Sequence, residues 1–573
     1  MTHLRDLSHN RKMTVFGGVL LALLLGALDQ TIVGPAMPEI VRELGGMQYL
    51  AWVFTIYSLT STIAIPLVGK LSDLYGRKWF YIGGISLFML GSALCAAAGS
   101  GAFNAVLEPL GMTPMIQLIV ARGIQGLGGG TMMANGMAIV GDLFEPRERG
   151  KYQGFTGGVF ALASVVGPAV GGWITDAASW RWIFLVNIPL GMLTIGVLLY
   201  SMPRPETGRQ HSIDWWGATA LVTGLVPLLL ALSGGGSTYA WLSTTILALL
   251  GVATVALLGF VFIERRAAEP IIDMVLFKDR AFSMSMLVLF LSGVGLFGSI
   301  VFLPLFMQVV QGASASSSGS LLIPMMVSMV GGSILCGQII SRTGRYKSLG
   351  VIGLAVATVG MFLLSFVAPG TGRLAIVAEM VLVGAGVGVT MPLFAIALQA
   401  QYQTRIGEVT AAVQFFRSIG GTVGVALLGG VMNAAFSRNL TGLVERDAEK
   451  FGALVPLLER LAREPSQLLN SGALEKIAAQ IPPEAQPLLG GFFTDIRFAL
   501  SDAIGTTFLI GSVMMGLSVI AMLFLREVPL PAKVREQDAA EVGRELLAGE
   551  SVQPAEHEPV LVEVDRDDED DRQ

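Results

Sequence analysis

Charged side chains are scarce in this chain of 573 residues. Asp, Glu, Lys and Arg together make up 14% of it, hydrophobic residues make up 53%, and the mean hydropathy is +0.67. A soluble chain of this length divides into several domains that each need a charged surface, and about 25% of the residues of a typical domain are charged. The composition therefore excludes an ordinary soluble protein.

Cysteine is also rare. The two cysteines, Cys95 and Cys336, both lie in apolar runs, so neither a disulfide framework nor a metal site is expected. The histidines lie outside the apolar runs, which makes imidazole a poor candidate for a proton carrier within a membrane; they are His3, His9, His211 and His557.

Signatures of nucleotide hydrolysis and of hydrolytic enzymes are missing as well. The sequence contains no GxxxxGK[ST] loop and no nucleophile elbow in a strand–turn–helix setting. We therefore expect no enzyme activity, no cofactor and no nucleic-acid partner. Without a nucleotide-binding loop, ATP is excluded as a source of energy, and an ion gradient remains.

Long apolar runs dominate the sequence. Each is about 18 to 25 residues long and rich in glycine, which is enough to cross a hydrocarbon core as an α-helix. The sequence predicts an all-α polytopic membrane protein with fourteen spanning helices, near residues 14–34, 49–69, 79–99, 114–141, 152–174, 183–202, 215–233, 241–263, 283–307, 317–340, 349–368, 374–398, 406–430 and 503–525.

Basic residues are concentrated in alternate loops. Those on the side of the N-terminus hold most of the Lys and Arg, whereas the opposite loops carry only Arg42, Arg181 and Arg373. The positive-inside rule predicts that both termini are cytoplasmic in an inner (plasma) membrane, which requires an even number of spans and favours fourteen over thirteen. The first run lacks a small-residue cleavage site and contains Asp29, so we expect a retained helix rather than a signal peptide.

Two segments have too many charges to span. Residues 433–501 form a predicted insertion on the outer side; it is either a surface helical hairpin that caps the outer mouth or a segment that handles an amphiphilic substrate. Residues 526–573 form an acidic tail, which is most simply disordered and solvated, with a partner-binding role as the alternative. Residues 1–13 are predicted to be a cytoplasmic N-terminus.

The sequence contains an internal repeat. Residues 69–78 (GKLSDLYGRK) follow the second predicted span, and the related residues 337–345 (GQIISRTGR) follow the tenth. This spacing predicts two six-helix bundles, at 14–202 and 283–525, separated by two linker helices at 215–263. Ser341 replaces Asp73 in the second copy, where any equivalent contact should be weaker.

Four charged residues within predicted spans are candidates for a functional role: Asp29, Arg122, Glu379 and Arg417. Each costs at least a few kcal/mol near the bilayer centre unless it is paired or hydrated. A carboxyl in a low-dielectric cavity holds its proton more readily than in water, and a nearby arginine opposes this. We predict that Asp29 carries a proton and that Arg122 tunes it, with structural pairing as the alternative. Glu379 is a second proton site, part of cation recognition, or a carboxyl near the outer interface that reaches water. Arg417 is either a central pairing residue or an interhelical hydrogen-bond hub.

Several motifs together resemble the major facilitator superfamily, and in particular its fourteen-helix drug:proton antiporter family (EmrB/QacA-like multidrug efflux transporters). They are residues 69–78, residues 122–128 (RGIQGLG), residues 167–172 (GPAVGG), residues 28–33 (LDQTIV) and residues 180–191 (WRWIFLVNIPLG). The match covers about residues 14–430 and the last predicted helix. Ala163 stands where the family usually has glycine.

The resemblance implies roles for two sets of residues. The first set is a conformational latch, for which a plain topology-setting loop is the alternative: Gly69, Asp73, Gly76, Arg77 and Lys78. The second is an antiporter motif in the fifth helix, which seals the core against leakage during exchange; generic glycine packing is the alternative: Gly154, Gly167, Pro168, Gly171 and Gly172.

The resemblance further implies a proton-coupled antiporter that exports lipophilic or cationic drugs, or other amphipathic compounds, by alternating access. Export of an endogenous lipid or lipid-like metabolite is the alternative, which residues 433–501 would suit. A non-transporting membrane receptor or scaffold is a more remote possibility. The expected partners are a small amphipathic substrate, protons and the lipid bilayer, and the expected state is a monomer.

Overall fold

The computed structural model of the protein describes residues 4–46, 49–203, 214–235, 239–313, 322–451, 457 and 489–527. Fourteen long helices account for most of these residues. They are α1 (His9–Leu44), α2 (Leu50–Tyr75), α3 (Arg77–Ala97), α4 (Pro114–Leu143), α5 (Pro146–Ala177), α6 (Trp182–Leu185 and Asn187–Ser201), α7 (Trp215–Gly234), α8 (Thr244–Glu264), α9 (Arg280–Leu305), α10 (Leu322–Thr343), α11 (Lys347–Leu364), α12 (Arg373–Gln401), α13 (Ile406–Phe451) and α14 (Leu489–Leu523).

Thirteen of these helices are long and apolar enough to cross a membrane, in the part of the chain that the structure describes. The remaining one, α4, has 30 residues, but its many glycines and its polar residues lower its hydropathy. Because α4 packs between α2 and α3 and is largely buried, it does not need a lipid-facing surface. The predicted polytopic all-α fold with fourteen helices is confirmed.

The start of α1 and the end of α14 lie on one face of the helix bundle, as an even number of helices requires. Near the start of α1, Arg11 Nε donates to Ser201 O at the end of α6, at 2.8 Å. After α14, Glu527 Oε1 accepts from the backbone N–H of Tyr346, before α11, at 2.7 Å. We call this side the terminal face and the other side the opposite face.

Two halves with the same packing pattern form the fold. In the first half α1 packs on α5, and α4 packs on α2 and α3; in the second half α9 packs on α13, and α12 packs on α10 and α11. The halves meet where α2 packs on α13 and where α5 packs on α10. Helices α7 and α8 pack on each other, and α7 also contacts α2 and α13 along one of these seams.

Some helices extend well beyond their predicted bounds. Helix α1 begins at His9 and ends at Leu44, and α13 continues to Phe451, because a helix can carry polar residues outside the apolar zone. Residues 433–451 and 489–501 of the predicted insertion are therefore extensions of α13 and α14. Asn439 Nδ2 donates to Asp502 Oδ2 and to Ala499 O, both at 3.0 Å, and so ties the extensions together. The middle of the insertion and the tail beyond Glu527 lie outside the described residues, apart from Leu457.

Candidate functional site

A buried ion pair joins α1 to α4 inside the first half. Arg122 Nη1 lies 2.5 Å from Asp29 Oδ2, and the side chains are 1% and 0% exposed, respectively. The charges are thus removed from solvent, which is tolerable only if the remaining polar atoms also find partners. The structure brings together the two residues that the sequence singled out for proton coupling.

Amides and a hydroxyl complete the surroundings of the Asp29 carboxylate. Gln125 Nε2 donates to Asp29 Oδ1 at 2.7 Å, and Asn187 Nδ2 donates to the same oxygen at 3.2 Å. Both amides also donate to Ser92 Oγ, at 2.6 Å and 3.0 Å. Donors from α4 and α6 therefore stabilise the ionised carboxylate in addition to the arginine.

The arginine has partners of its own besides the carboxylate. Its guanidinium carbon lies 4.3 Å from the centre of the Tyr57 ring, a cation–π geometry. Its Nη1 also donates to Gln125 Oε1 at 2.7 Å, and its Nε donates to Val53 O at 3.4 Å. Arg122 can therefore keep several contacts when the Asp29 charge is neutralised, which is what a tuning cation requires.

Sequence reasoning assigned no role to four residues of this network. Ser92 and Tyr57 belong to none of the motifs. Gln125 and Asn187 lie within the motifs at residues 122–128 and 180–191, but the motifs gave neither of them a role. The available signal is that amide side chains inside spanning helices usually hydrogen bond across helices. Gln125 lies three residues after Arg122, so it is close enough along α4 to share its partners.

Glu379 and Arg417 have no hydrogen bond to the pair in the described structure. Glu379 lies in α12, and its Oε2 is buried with no hydrogen-bond partner among the described residues. Arg417 lies in α13, where Nη2 donates to Gln414 Oε1, whereas Nη1 is buried without a partner in the described part of the chain. A second proton site at Glu379 stays a prediction.

The end of α2 contacts the first turn of α13, across the two halves, on the terminal face. Asp73 accepts hydrogen bonds from the backbone N–H groups of Gly407, at 3.1 Å, and Glu408, at 2.7 Å. These N–H groups belong to a helix N-terminus, where they have no partners within the helix and favour a negative charge. Arg77 holds the carboxylate through an ion pair and bridges to Asp142 Oδ2, at 2.8 Å from its Nε.

Glycines allow this close approach. A Cβ at Gly69 would lie 2.3 Å from Ala411 Cβ, so only glycine lets α2 reach α13 here. Gly76 has a φ of 94°, in the left-handed region that glycine tolerates, and forms the turn into α3. Lys78 Nζ donates to Met202 O at 2.6 Å and thereby ties α3 to the end of α6.

The second copy of this motif makes a different contact. A Cβ at Gly337 would lie 2.1 Å from the carbonyl oxygen of Gly150 in α5, so the backbones of α10 and α5 touch. Ser341 Oγ donates to Gln338 O in its own helix at 2.8 Å. The glycine contact is thus repeated in the second half, whereas Ser341 brings no charge to it.

Small residues of α5 pack on α1 just after Asp29. A Cβ at Gly167 would lie 2.0 Å from Thr31 Oγ1, and one at Gly171 would lie 2.4 Å from Ile32 O. Near them Thr31 Oγ1 donates to Ala163 O at 2.9 Å. The antiporter motif therefore fixes the position of α1 beside the buried pair. The other members of the motif do not contact α1 in this way. A Cβ at Gly154 would lie 3.2 Å from Ile334 of α10. A Cβ at Gly172 would meet nothing within 4 Å, and Pro168 is exposed.

A cavity of about 510 Å³ lies between the halves, on the opposite-face side of these contacts. It is lined by α2 (Phe54, Thr55, Ser58, Leu59, Thr62), α7 (Leu229, Leu232, Ser233) with Gly235, α9 (Phe297, Val301) and α13 (Gly421, Thr422, Val425, Ala426, Gly429, Gly430, Asn433). At the other end Gln153 Nε2 of α5 donates to Gln399 Oε1 of α12 at 3.2 Å. Contacts thus join the halves near the terminal face, and the cavity lies farther toward the opposite face.

The segment between α8 and α9 also contacts the first turn of α13. Asp273 N donates to Glu408 Oε1 at 2.8 Å, and the Asp273 carboxylate pairs with Arg405. Burial would raise the pKa of Asp273, but the N–H of Val275 and the Arg405 guanidinium lower this pKa below its ordinary value. No cluster of three or more His, Cys, Asp or Glu with metal-binding geometry occurs among the described residues.

Known proteins resemble this chain along most of its length. The family model for the Major Facilitator Superfamily matches residues 19–425. Multidrug transporter protein MdtP of Bacillus subtilis (strain 168) is 37% identical over 537 residues, which cover 92% of this chain and 95% of that protein. Multidrug resistance protein 3 of the same strain is 36% identical over 509 residues, covering 89% and 94%.

Solved structures share the fold at low sequence identity. The proton:xylose symporter XylE bound to 6-bromo-6-deoxy-D-glucose has a TM-score of 0.55 at 15% identity and covers 90% of this chain and 96% of its own. The human organic anion transporter MFSD10 has a TM-score of 0.53 at 15% identity and covers 88% and 99%. At these identities the likeness concerns the fold alone.

Proposed function

This chain belongs to the major facilitator superfamily, a class of transporters rather than enzymes, and on that premise we propose that it exports amphipathic compounds in exchange for protons. The similarity to two multidrug proteins over most of the chain supports export of lipophilic drugs. The buried Asp29–Arg122 pair is the observation that carries the proton coupling. The distribution of Lys and Arg supports cytoplasmic termini, so that the terminal face is the inner one.

The proposed cycle uses the pair as a switch. When Asp29 binds a proton, it loses its charge and its ion pair with Arg122, while Arg122 keeps Gln125 and the Tyr57 ring as partners. The contact between α1 and α4 is then weaker, which changes the relative free energies of the two access states. Proton entry from the acidic outer side and release inside would return the empty transporter to the substrate-loading state, with no cofactor needed.

The latch would set which side is open. The hydrogen bonds of Asp73 to α13 hold the halves together at the terminal face, which corresponds to the outward-facing state in the proposed orientation. Opening toward the cytoplasm must break these bonds, so their strength contributes to the equilibrium between states. Substrate would enter from the cytoplasm or inner leaflet and leave through the cavity.

The Asp29→Asn variant tests the proton coupling. It keeps the size and most hydrogen bonds of the side chain but removes the titratable proton. In proteoliposomes we expect loss of uphill export driven by a pH gradient, with downhill exchange retained. Arg122→Ala should also impair export, but by a different route, because it keeps the proton site and leaves the buried carboxylate without its cation.

Two outcomes would contradict the assignment. Folded Asp29→Asn protein that still concentrates substrate against its gradient would exclude Asp29 as the proton carrier and direct attention to Glu379. Failure of both variants to fold, with no uncoupled activity, would support a structural ion pair. Absence of any proton flux in wild-type proteoliposomes supplied with substrate would instead support a receptor or scaffold.

Export of an endogenous lipid is a second candidate. Helices α13 and α14 continue past the apolar zone on the opposite face and are joined there by the bond between Asn439 and Asp502. Such an extension offers a path for an amphiphile away from the membrane. Growth of a deletion strain on a drug panel, followed by assays with labelled lipids in liposomes, would decide between the candidates.

A further inference from the structure

We infer that the cavity between α2, α7, α9 and α13 binds uncharged amphipathic compounds that carry a hydrogen-bond donor, in preference to permanent cations, and that linker helix α7 forms one wall of this binding site. The inference rests on the proposed transport function and specifies its substrate class.

The lining of the cavity offers polar groups without charge. Of the described side chains around it, none is acidic or basic. Hydroxyl groups and one amide are distributed among apolar and aromatic side chains; they are Thr55, Ser58, Thr62, Ser233, Thr422 and Asn433. The volume of about 510 Å³ is within the range of sites for drug-sized molecules. A permanent cation would lose its hydration here without meeting a carboxylate, which disfavours its binding.

The nearest charge along α13 has the wrong sign for a cation. Arg417 lies one helical turn before Gly421, on the same side of the helix. Its Nη1 is buried and has no hydrogen-bond partner among the described residues. The Asp29 carboxylate is fully buried within the first half and already holds Arg122. No described lining group therefore attracts a cation, and the nearest charged residue along α13 is itself a cation.

One amide supplies a specific acceptor. Asn433 lines the cavity, and its Oδ1 is buried without a hydrogen-bond partner in the described structure. A rotation of the amide that brings this oxygen to a ligand would break no hydrogen bond to it. A ligand N–H or O–H at this point therefore gains a hydrogen bond that the empty protein lacks.

The linker helix completes the site. Leu229, Leu232 and Ser233 of α7 line the cavity beside residues of α2 and α13. Without α7, this side would be open to the surrounding lipid, because α7 packs along both of those helices. The two additional helices thus contribute directly to binding, beyond separating the two halves.

Three dansyl probes with one fluorophore would test the inference by fluorescence titration of the full chain in nanodiscs at pH 7. Dansylamide is neutral with an N–H donor, N,N-dimethyl dansylamide lacks the donor, and dansylaminoethyl-trimethylammonium is a permanent cation. We expect dansylamide to bind at least about 10-fold more tightly than the cation. Asn433→Leu should weaken dansylamide binding about 3- to 10-fold and change binding of the dimethyl compound less than about 2-fold.

Matched variants control for indirect effects. Ala426→Trp fills the cavity and should abolish binding, whereas Leu427→Trp, at a neighbouring position that is 44% exposed, should not. Thr422→Glu should improve cation binding about 10-fold, and Thr422→Gln should not. Monodisperse elution of each variant verifies folding.

Equal or tighter binding of the cation by wild-type protein would overturn the inference, as would unchanged binding in Ala426→Trp. Equilibrium binding needs no gradient, so this test can fail while Asp29-dependent export is still observed, and the reverse also holds. The two proposals are therefore distinguishable.

Discussion

The hydrogen bonds of Asp73 across the two halves give a quantitative prediction. Its two oxygens accept from Gly407 N and Glu408 N, and Arg77 balances its charge. In the variant Asp73→Asn, the amide oxygen can still accept from Glu408, but the amide nitrogen cannot accept from Gly407. Asp142 remains to pair with Arg77, so the loss is concentrated at the N-terminus of α13.

The size of the effect follows from these contacts. Loss of one capping hydrogen bond and of the interaction between a carboxylate and the helix dipole costs about 1–2 kcal/mol. Because the bonds exist only when the terminal face is closed, the whole loss applies to that state. The equilibrium between the two access states should therefore shift about 5- to 30-fold toward opening at the terminal face.

Cysteine labelling can measure this shift. The native cysteines, Cys95 and Cys336, are both fully buried and can be replaced to give a silent background. A reporter at Gln153→Cys probes the closed end, where the side chain is 4% exposed, and one at Thr422→Cys probes the cavity. Asp73→Asn should label faster at position 153 and more slowly at position 422.

The control uses the second copy of the motif. Ser341 donates only within its own helix, so Ser341→Ala should leave both labelling rates unchanged. Unchanged rates in folded Asp73→Asn protein would refute the latch, as would an equal change in both variants.

Two further predictions concern packing and pH. Gly167→Ala would place a Cβ 2.0 Å from Thr31 Oγ1, so we expect loss of transport and destabilisation by about 1–3 kcal/mol in thermal unfolding experiments. As a control, Gly172→Ala would place a Cβ with nothing within 4 Å and should change the free energy of unfolding by less than about 0.5 kcal/mol. Arg405→Gln should lower the melting temperature at pH 7. Because the pKa of Asp273 is lowered in the folded state, the ion pair of Asp273 with Arg405 stabilises the protein at pH values above the ordinary aspartate pKa of about 3.9. The difference in melting temperature between variant and wild type should therefore persist at pH 5 and shrink below about pH 4. A difference that grows in acid would contradict this.

The helices could be predicted from sequence because a span must satisfy all its backbone hydrogen bonds internally and face lipid with apolar side chains. The same reasoning predicted α4 as a span, because residues 114–141 form a long run in which Arg122 is the one charged residue, although glycines and polar residues lower its hydropathy. The ends of α1 and α13 could not be predicted from hydropathy, because hydropathy indicates where the lipid ends and not where the helix ends. Helix α13 continues beyond the apolar zone to Phe451.

The charged residues of the site could also be predicted, because an Asp or Arg in a span is costly and therefore conspicuous. Their neutral neighbours were missed, since Ser92 and Tyr57 are ordinary residues of membrane helices. The partner of Asp73 was beyond reach for another reason: Gly407 lies 334 positions away and contributes only a backbone N–H, which any residue type could supply.

The complete burial of Asp29 has a consequence for energy use in the resting cell. In this conformation both carboxylate oxygens are occupied by donors and neither is exposed to water on either side. If Asp29 carries the proton, a transporter at rest in this state offers no route for proton leak. Protons would then cross the membrane through this protein only when the halves move, and an idle transporter would consume little of the gradient.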